Sequence, residues 1–333
     1  MAMCFENLRR KIFNGKNPKF VYYAEAFVRM HMPCCLLRPA VASLDRLLAA
    51  RDDRDYIMRR VDYYCKGDSY RGVPAEEWER ESVAIGSQLK MRQKVYYYDT
   101  MEYGRYFPKD ARWHIEPGDV NYIARIPSIT KSRPIGGDNR NNVIMKLNKV
   151  RHFIFVDDKT PFAQKKDAVV FRGKVYEKEQ RKLFMRRWFG HERVDAGDTD
   201  RKATDWRREK ITVYEHLAYR YVMAIEGNDV ASNLKWVMSS NSIAIMPRPT
   251  CETWFMEGQL VPDYHYIEVR PDFSDLLDKM DWYSAHPEEA NAIIRHAHEW
   301  VAQFRDAGRE RLVSLLTLRK YLGMTAGIAR QTR

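Results

Sequence analysis

The chain has 333 residues, 45% of them hydrophobic and 31% charged, and a formal net charge of +12. That balance excludes wholesale disorder, and the length predicts two domains, because single cores stop growing at about 250–300 residues. Five cysteines, with Cys34 and Cys35 adjacent and no CxxC spacing, exclude a disulfide framework and a zinc ribbon.

Residues 3–30 read as an amphipathic helix, with Phe5, Leu8, Ile12, Phe20, Tyr23 and Phe27 at helical spacing. Arg9, Arg10, Lys11, Lys16 and Lys19 are followed by no apolar stretch, which argues against a cleaved signal peptide. No run approaches the ~18 apolar residues of a membrane span. The expectation is a cytoplasmic protein, peripheral to the inner face of the cytoplasmic membrane if the basic start rests on anionic lipid. Residues 40–63 predict a second helix, Pro74 with Glu76, Glu77 and Glu79 starts a third, and 94–98 predicts a strand.

From residue 120 the rhythm changes. After a short apolar run at 120–126, strands are expected at 152–156, 168–171, 210–213, 221–225, 242–246 and 264–269. Helices are expected at 177–188, 214–221, 229–238, 287–305 and 310–322. Strands alternating with helices argue for a parallel α/β domain, whose ligands sit beyond the carboxyl ends of the strands.

Charge is unevenly spread. Residues 121–190 hold 17 basic against 6 acidic residues, a net of +11, whereas 251–300 hold 3 against 11, a net of −8. Such polarisation fits a phosphate-binding cleft better than a general nucleic-acid coat, with a solvated basic face as the plain alternative.

Four motifs fall at strand ends or in polar loops. In Phe171-Arg172-Gly173-Lys174, leading to Arg181, a strand ends, glycine relaxes the backbone, and cations introduce a helix: an arrangement able to hold a diphosphate. In Glu226-Gly227-Asn228 through Ser232, Asn233 and Lys235, a glycine-flanked turn carries Ser, Asn and Lys toward a phosphate or sugar. The loop 247–258 brings Glu252 and Glu257, able to accept hydrogen bonds from sugar hydroxyls. The basic loop Lys131-Ser132-Arg133 to Asn142 could line a cleft from the other domain or lie on the surface. No Walker A loop, GxGxxG, HExxH or EF-hand pattern occurs, and the histidines have no metal-ligand spacing.

At Phe171-Arg172-Gly173, Glu226-Gly227-Asn228, Ser232, Lys235-Trp236, 239–242, 254–258 and His265-Tyr266-Ile267 the chain resembles glycosyltransferase family 90, over about 120–320. Residues 131–135 with Asn142, Lys146 and Arg151-His152-Phe153 resemble its bacterial, lipopolysaccharide-modifying branch. The resemblance implies an α/β fold of GT-B type: two Rossmann-like domains facing a central cleft, here with a helical N-terminal region. The divisions expected are 1–160 on the acceptor side, 161–305 for the nucleotide sugar, and 306–333 as a helix crossing back.

The resemblance implies inverting transfer from a UDP-sugar (glucose, galactose or xylose) to a lipopolysaccharide core or other surface glycan, with no cofactor and no essential metal. Arg172, Gly173, Lys174 and Arg181 would meet the diphosphate, and Gly227, Asn228, Ser232, Asn233, Lys235, Glu252 and Glu257 would line the donor pocket. Lys131, Ser132 and Arg133 would face the acceptor. Lys174 stands where a small hydroxyl residue often follows the Arg-Gly pair, and Asn233 where some members have Arg. The catalytic Asp of the animal enzymes has no counterpart in 120–127, so Asp138, Asp157 and Asp158 are the candidate bases. Two rival readings are a nucleotide-sugar-binding protein without transfer and a nucleic-acid-binding module. The −8 segment and the strand-end loops speak against the second.

Overall fold

The structure is a computed structural model and describes residues 15–37, 41–70 and 73–330. Most of the amphipathic pattern expected at 3–30 therefore lies outside the described residues. Its described remainder forms the helix Lys19–His31. The chain divides into two compact units.

One unit comprises 15–17, Val150–Pro249 and Glu257–Gln303. Its centre is a five-stranded sheet of β1 (Lys166–Gly173), β2 (Val194–Asp198), β3 (Tyr219–Met223), β4 (Ile243–Met246) and β5 (Ile267–Glu268). All four pairings are parallel, in the order β2-β1-β3-β4-β5. Val169, Phe171, Tyr221, Met223, Ile243, Ile245 and Ile267 are buried, forming the near-continuous apolar runs of a sheet covered on both faces. Phe184 and Met185 of the helix Glu179–Trp188 pack into the same core, as do Leu276 and Met280 of Leu276–Ala285 and Ile293 and Ile294 of Pro287–Ala302.

In this order the chain winds outward from β1 to β2, returns, and winds the other way through β3. The adjacent carboxyl ends of β1 and β3 are thus the switch point at which open parallel sheets bind ligands.

The other unit comprises Pro18–Lys149, Thr250–Met256 and the chain from Phe304. It is mainly helical over Lys19–His31, Leu44–Ala49, Arg54–Tyr64, Ala75–Glu81 and Lys94–Gly104, and Ala307–Arg330 packs on the last four. It also holds a small parallel sheet of Ile115–Glu116, Ser128–Thr130 and Asn142–Ile144. An antiparallel pair joins Ser132–Pro134 to Cys251–Thr253.

Several expected elements differ. The strand at 94–98 is the start of the helix Lys94–Gly104. Val95, Tyr96, Asp99, Thr100 and Tyr103 recur at helical spacing on its buried side, and this period overrides the β preference of Val-Tyr-Tyr-Tyr. Residues 153–159 form no strand. Ile154 and Val156 are buried without a ladder, and the Val156 amide donates to Ser239 Oγ at 2.9 Å. At 210–213 the expected strand gives way to a capping box, Thr212 with Glu215, that opens the short helix Val213–His216. The helix at 229–238 shortens to Leu234–Met238, and the one at 40–63 breaks at 50–53. The helix Leu276–Ala285 was not expected.

Candidate functional site

Arg181 stands in the first turn of Glu179–Trp188, directly after β1. Its Nε donates to Glu226 O at 3.0 Å, Nη1 to Lys174 O at 2.8 Å and Nη2 to Ile225 O at 2.9 Å. One guanidinium thus ties the turn after β1 to the turn after β3. Three of its five N–H groups are used, which leaves one on each terminal nitrogen for a further acceptor. No carboxylate pairs with it among the described residues. Burial, reinforced by the neighbouring Arg151 charge and opposed by Asp198, brings its pKa down to about 10. It therefore remains a cation at neutral pH, matched mainly by carbonyl dipoles.

Two glycines keep this place open. A Cβ on Gly227 would lie 3.2 Å from Arg181 Nη2. One on Gly173 would lie 3.3 Å from Nη1 and 2.9 Å from the Phe171 ring. Beyond the ends of β1 and β2 lies a cavity of about 570 Å³, lined by Tyr176, Lys182, Arg186, Asp198, Lys202 and Trp206 among others.

The other residues expected at the diphosphate turn elsewhere. Arg172 runs across to β2, where Nη2 meets Asp195 Oδ1 and Nη1 meets Asp195 O, each at 2.7 Å. Lys174 is exposed and pairs with Asp200 at 3.0 Å.

Along the second motif, Lys178 donates to Asn228 Oδ1, and Asn233 Nδ2 donates to Met223 O at 3.1 Å, which fastens the turn to β3. Ser232 is half-buried. Lys235 and Glu257 are brought together as a fully buried ion pair at 2.6 Å. They stand 22 residues apart in the chain, and nothing in their local sequence signals the pairing.

In the helical unit the structure joins Arg133 to Glu252. Nε meets Oε1 at 2.8 Å, and Tyr63 OH donates to the same carboxylate. Three further donors of Arg133 reach the carbonyls of Tyr63, Tyr64 and Asn142. Ser132 Oγ accepts from Val120 N at 3.0 Å.

Lys131 is buried and pairs with Asp119. Asp119 follows the strand Ile115–Glu116, and Lys131 follows Ser128–Thr130, so both mark carboxyl ends of the small parallel sheet. Sequence reasoning passed over Asp119. The available signal was the turn Pro117-Gly118-Asp119 after the alternating Trp113 and Ile115, but a two-residue strand gives little periodicity to read.

The three candidate bases are differently placed. Asp138 is exposed, and its hydrogen bond with Arg140 holds its carboxyl below the usual range. Asp157 is exposed and pairs with Lys159 at 2.6 Å. The Asp158 carboxylate is buried and accepts from Lys165 Nζ at 2.6 Å, Asn241 N at 3.0 Å and Thr160 N at 3.1 Å. Asp157 and Asp158 stand in irregular chain rather than at a strand end. Among the described residues no group of three His, Cys, Asp or Glu side chains is arranged to hold a metal ion.

A profile of glycosyl transferase family 90 matches residues 141–307. O-glucosyltransferase LpsA of Dichelobacter nodosus is 36% identical over 306 residues, 91% of this chain and 94% of that protein. Protein O-glucosyltransferase 2 of Danio rerio is 30% identical over 83 residues, 25% of this chain and 16% of that protein. Protein O-glucosyltransferase 3 of Homo sapiens is 25% identical over 138 residues, 39% of this chain and 27% of that protein.

Proposed function

Because the chain belongs to glycosyltransferase family 90 and is a glycosyltransferase, we propose that it moves glucose from UDP-glucose to a hydroxyl of a surface glycan or glycolipid. Arg181 at the β1/β3 switch point carries this reading: a cation matched by carbonyls, with two N–H groups to spare between two glycines, fits a diphosphate. The nucleoside takes the cavity beyond β1 and β2. Glucose is put first among glucose, galactose and xylose because a relative matched over 91% of the chain is named an O-glucosyltransferase. We further propose a GT-B arrangement, inversion at the anomeric carbon, and no essential metal, as the family resemblance implies.

In an inverting transfer the acceptor oxygen attacks the anomeric carbon as the diphosphate oxygen leaves. A carboxylate takes the acceptor proton, and Arg181 stabilises the negative charge growing on the diphosphate. Lys235–Glu257 and Arg133–Glu252 supply no free charge, since each member is buried against its partner.

A nucleotide-sugar panel tests the donor. At about 100 times its dissociation constant, a true donor adds about 2.7 kcal/mol of stability. UDP-glucose should raise Tm by several degrees and release UDP on addition of acceptor, undiminished by a metal chelator. Binding without UDP release would favour the non-catalytic reading; no stabilisation by any member would end the proposal.

The base is tested by Asn substitution at Asp119, Asp138, Asp157 and Asp158. Asp158→Asn should lose stability, because three donors converge on its carboxylate. One of the other three should lose turnover by about 10²-fold or more. Full turnover in those three would remove the carboxylate from the mechanism.

A further inference from the structure

The helix Lys19–His31 turns Tyr22 and Ala26 inward and leaves its other side in solvent. Phe20 is 84% exposed, Phe27 60% and Val28 66%, and Leu36 beyond the helix is 68% exposed. Val21 and Met32 are exposed as well. Positions 20, 21, 27 and 28 share one helical face, and Met32 and Leu36 follow on. Single exposed apolar residues are ordinary; six within seventeen residues are an interaction surface.

Behind it lies a pocket of about 570 Å³ to which Met32 and Leu36 also contribute. Its cations fall into two groups. Arg29 and Lys149 pair with Glu102, and Lys146 pairs with Glu310. Arg105 and Arg311 pair with no carboxylate among the described residues. Arg105 donates to the carbonyls of Arg29 and Met32, and Arg311 to Tyr106 OH at 2.6 Å. An apolar strip thus borders two guanidinium groups whose partners are neutral: carbonyls and the Cys34 thiol for Arg105, the Tyr106 hydroxyl and ring for Arg311. Among the described residues no helix is long and apolar enough to cross a membrane.

We propose that this face docks the protein on an anionic lipid bilayer. Phe20, Phe27, Val28 and Leu36 enter the boundary between headgroups and acyl chains, and a lipid phosphate sits at Arg105 and Arg311. Apolar burial and attraction to anionic headgroups are the two terms that hold a surface-lying helix. The inference deepens the proposed function and rests on its glycolipid acceptor only for its purpose, since a surface-bound enzyme would meet that acceptor at the bilayer.

The test sediments the full chain with phosphatidylcholine vesicles, with and without phosphatidylglycerol. The chain should pellet with the anionic vesicles alone. The double substitution Phe27→Glu, Val28→Glu, at exposed positions that leave folding intact, should lower the bound fraction at least ten-fold. Arg311→Gln should lower it about five-fold. Neither should change UDP release with a soluble acceptor.

Failure of the full chain to pellet would overturn the proposal, as would binding unaffected by the double substitution. Dimers that the double substitution dissociates, without vesicle binding, would assign the face to a second copy. Binding only after removal of residues 1–14 would assign it to the chain's own start. A full chain that binds vesicles yet releases no UDP would count against the donor reading and leave this one standing.

Discussion

Arg181→Gln should lower kcat/KM for sugar transfer by about 10²- to 10³-fold, the range found when one donor to a developing negative charge is removed. Two contributions add. The variant loses the cation facing the diphosphate in the ground state, and it loses the larger interaction with the charge that grows as the glycosidic oxygen departs. The first weakens UDP binding; the second lowers kcat.

Arg181 also ties two turns together, so a structural loss must be told apart from a lost contact. The comparison of UDP with uridine does so. The parent should prefer UDP strongly, because only UDP brings phosphates to the guanidinium. The variant should bind both nearly alike, with its uridine affinity kept. Equal loss of both ligands would mean the turns had collapsed, and an unchanged preference for UDP would place the diphosphate elsewhere. Arg181→Lys should recover only part of the activity, because a single ammonium cannot make paired contacts and hold two turns at once.

The two turns themselves were legible in the sequence. Phe171-Arg172-Gly173 and Glu226-Gly227 each show an apolar run, a glycine and a polar start, a local signature that requires no knowledge of neighbours. What each cation does was not legible, because that depends on strand order. Arg172 and Arg181 were both expected at the diphosphate, yet β2 lies beside β1 and offers Asp195, so Arg172 turns there. Arg181 stays at the switch point because β3 lies on the other side of β1, and its end, about 45 residues away, supplies the carbonyls that orient the guanidinium. The +11 of residues 121–190 divides accordingly. Much of it, including Lys131, Arg133, Lys165 and Arg172, is spent on ion pairs within the units. The net count pointed toward a phosphate ligand; the pairing decides which cation is left to meet one.

Glu310→Gln should have the largest effect on stability, about 3–5 kcal/mol, the usual result of removing one partner from a buried charge cluster. Against a typical total of about 5–15 kcal/mol, that loss leaves the helical unit marginal. Three donors converge on this carboxylate: Arg60 Nη1 at 2.6 Å, Lys146 Nζ at 2.9 Å and Trp254 Nε1 at 2.7 Å. Arg60 is buried and lies over the rings of Tyr64, Trp254 and Phe304, so it cannot swing to water. Removing the charge leaves two cations facing each other.

The pH dependence follows from Lys146, whose pKa burial lowers and Glu310 partly restores. Without the carboxylate the depression deepens, and the unfolded chain binds more protons than the folded one between the two pKa values. The stability of the variant therefore rises as pH rises through that interval. Urea unfolding should show a smaller deficit at alkaline than at neutral pH, and a deficit under about 1 kcal/mol at neutral pH would refute the account. Replacing all three groups together, as Arg60→Met, Lys146→Met and Glu310→Leu, should cost less than Glu310→Gln alone, because no buried charge is then left without its counterpart.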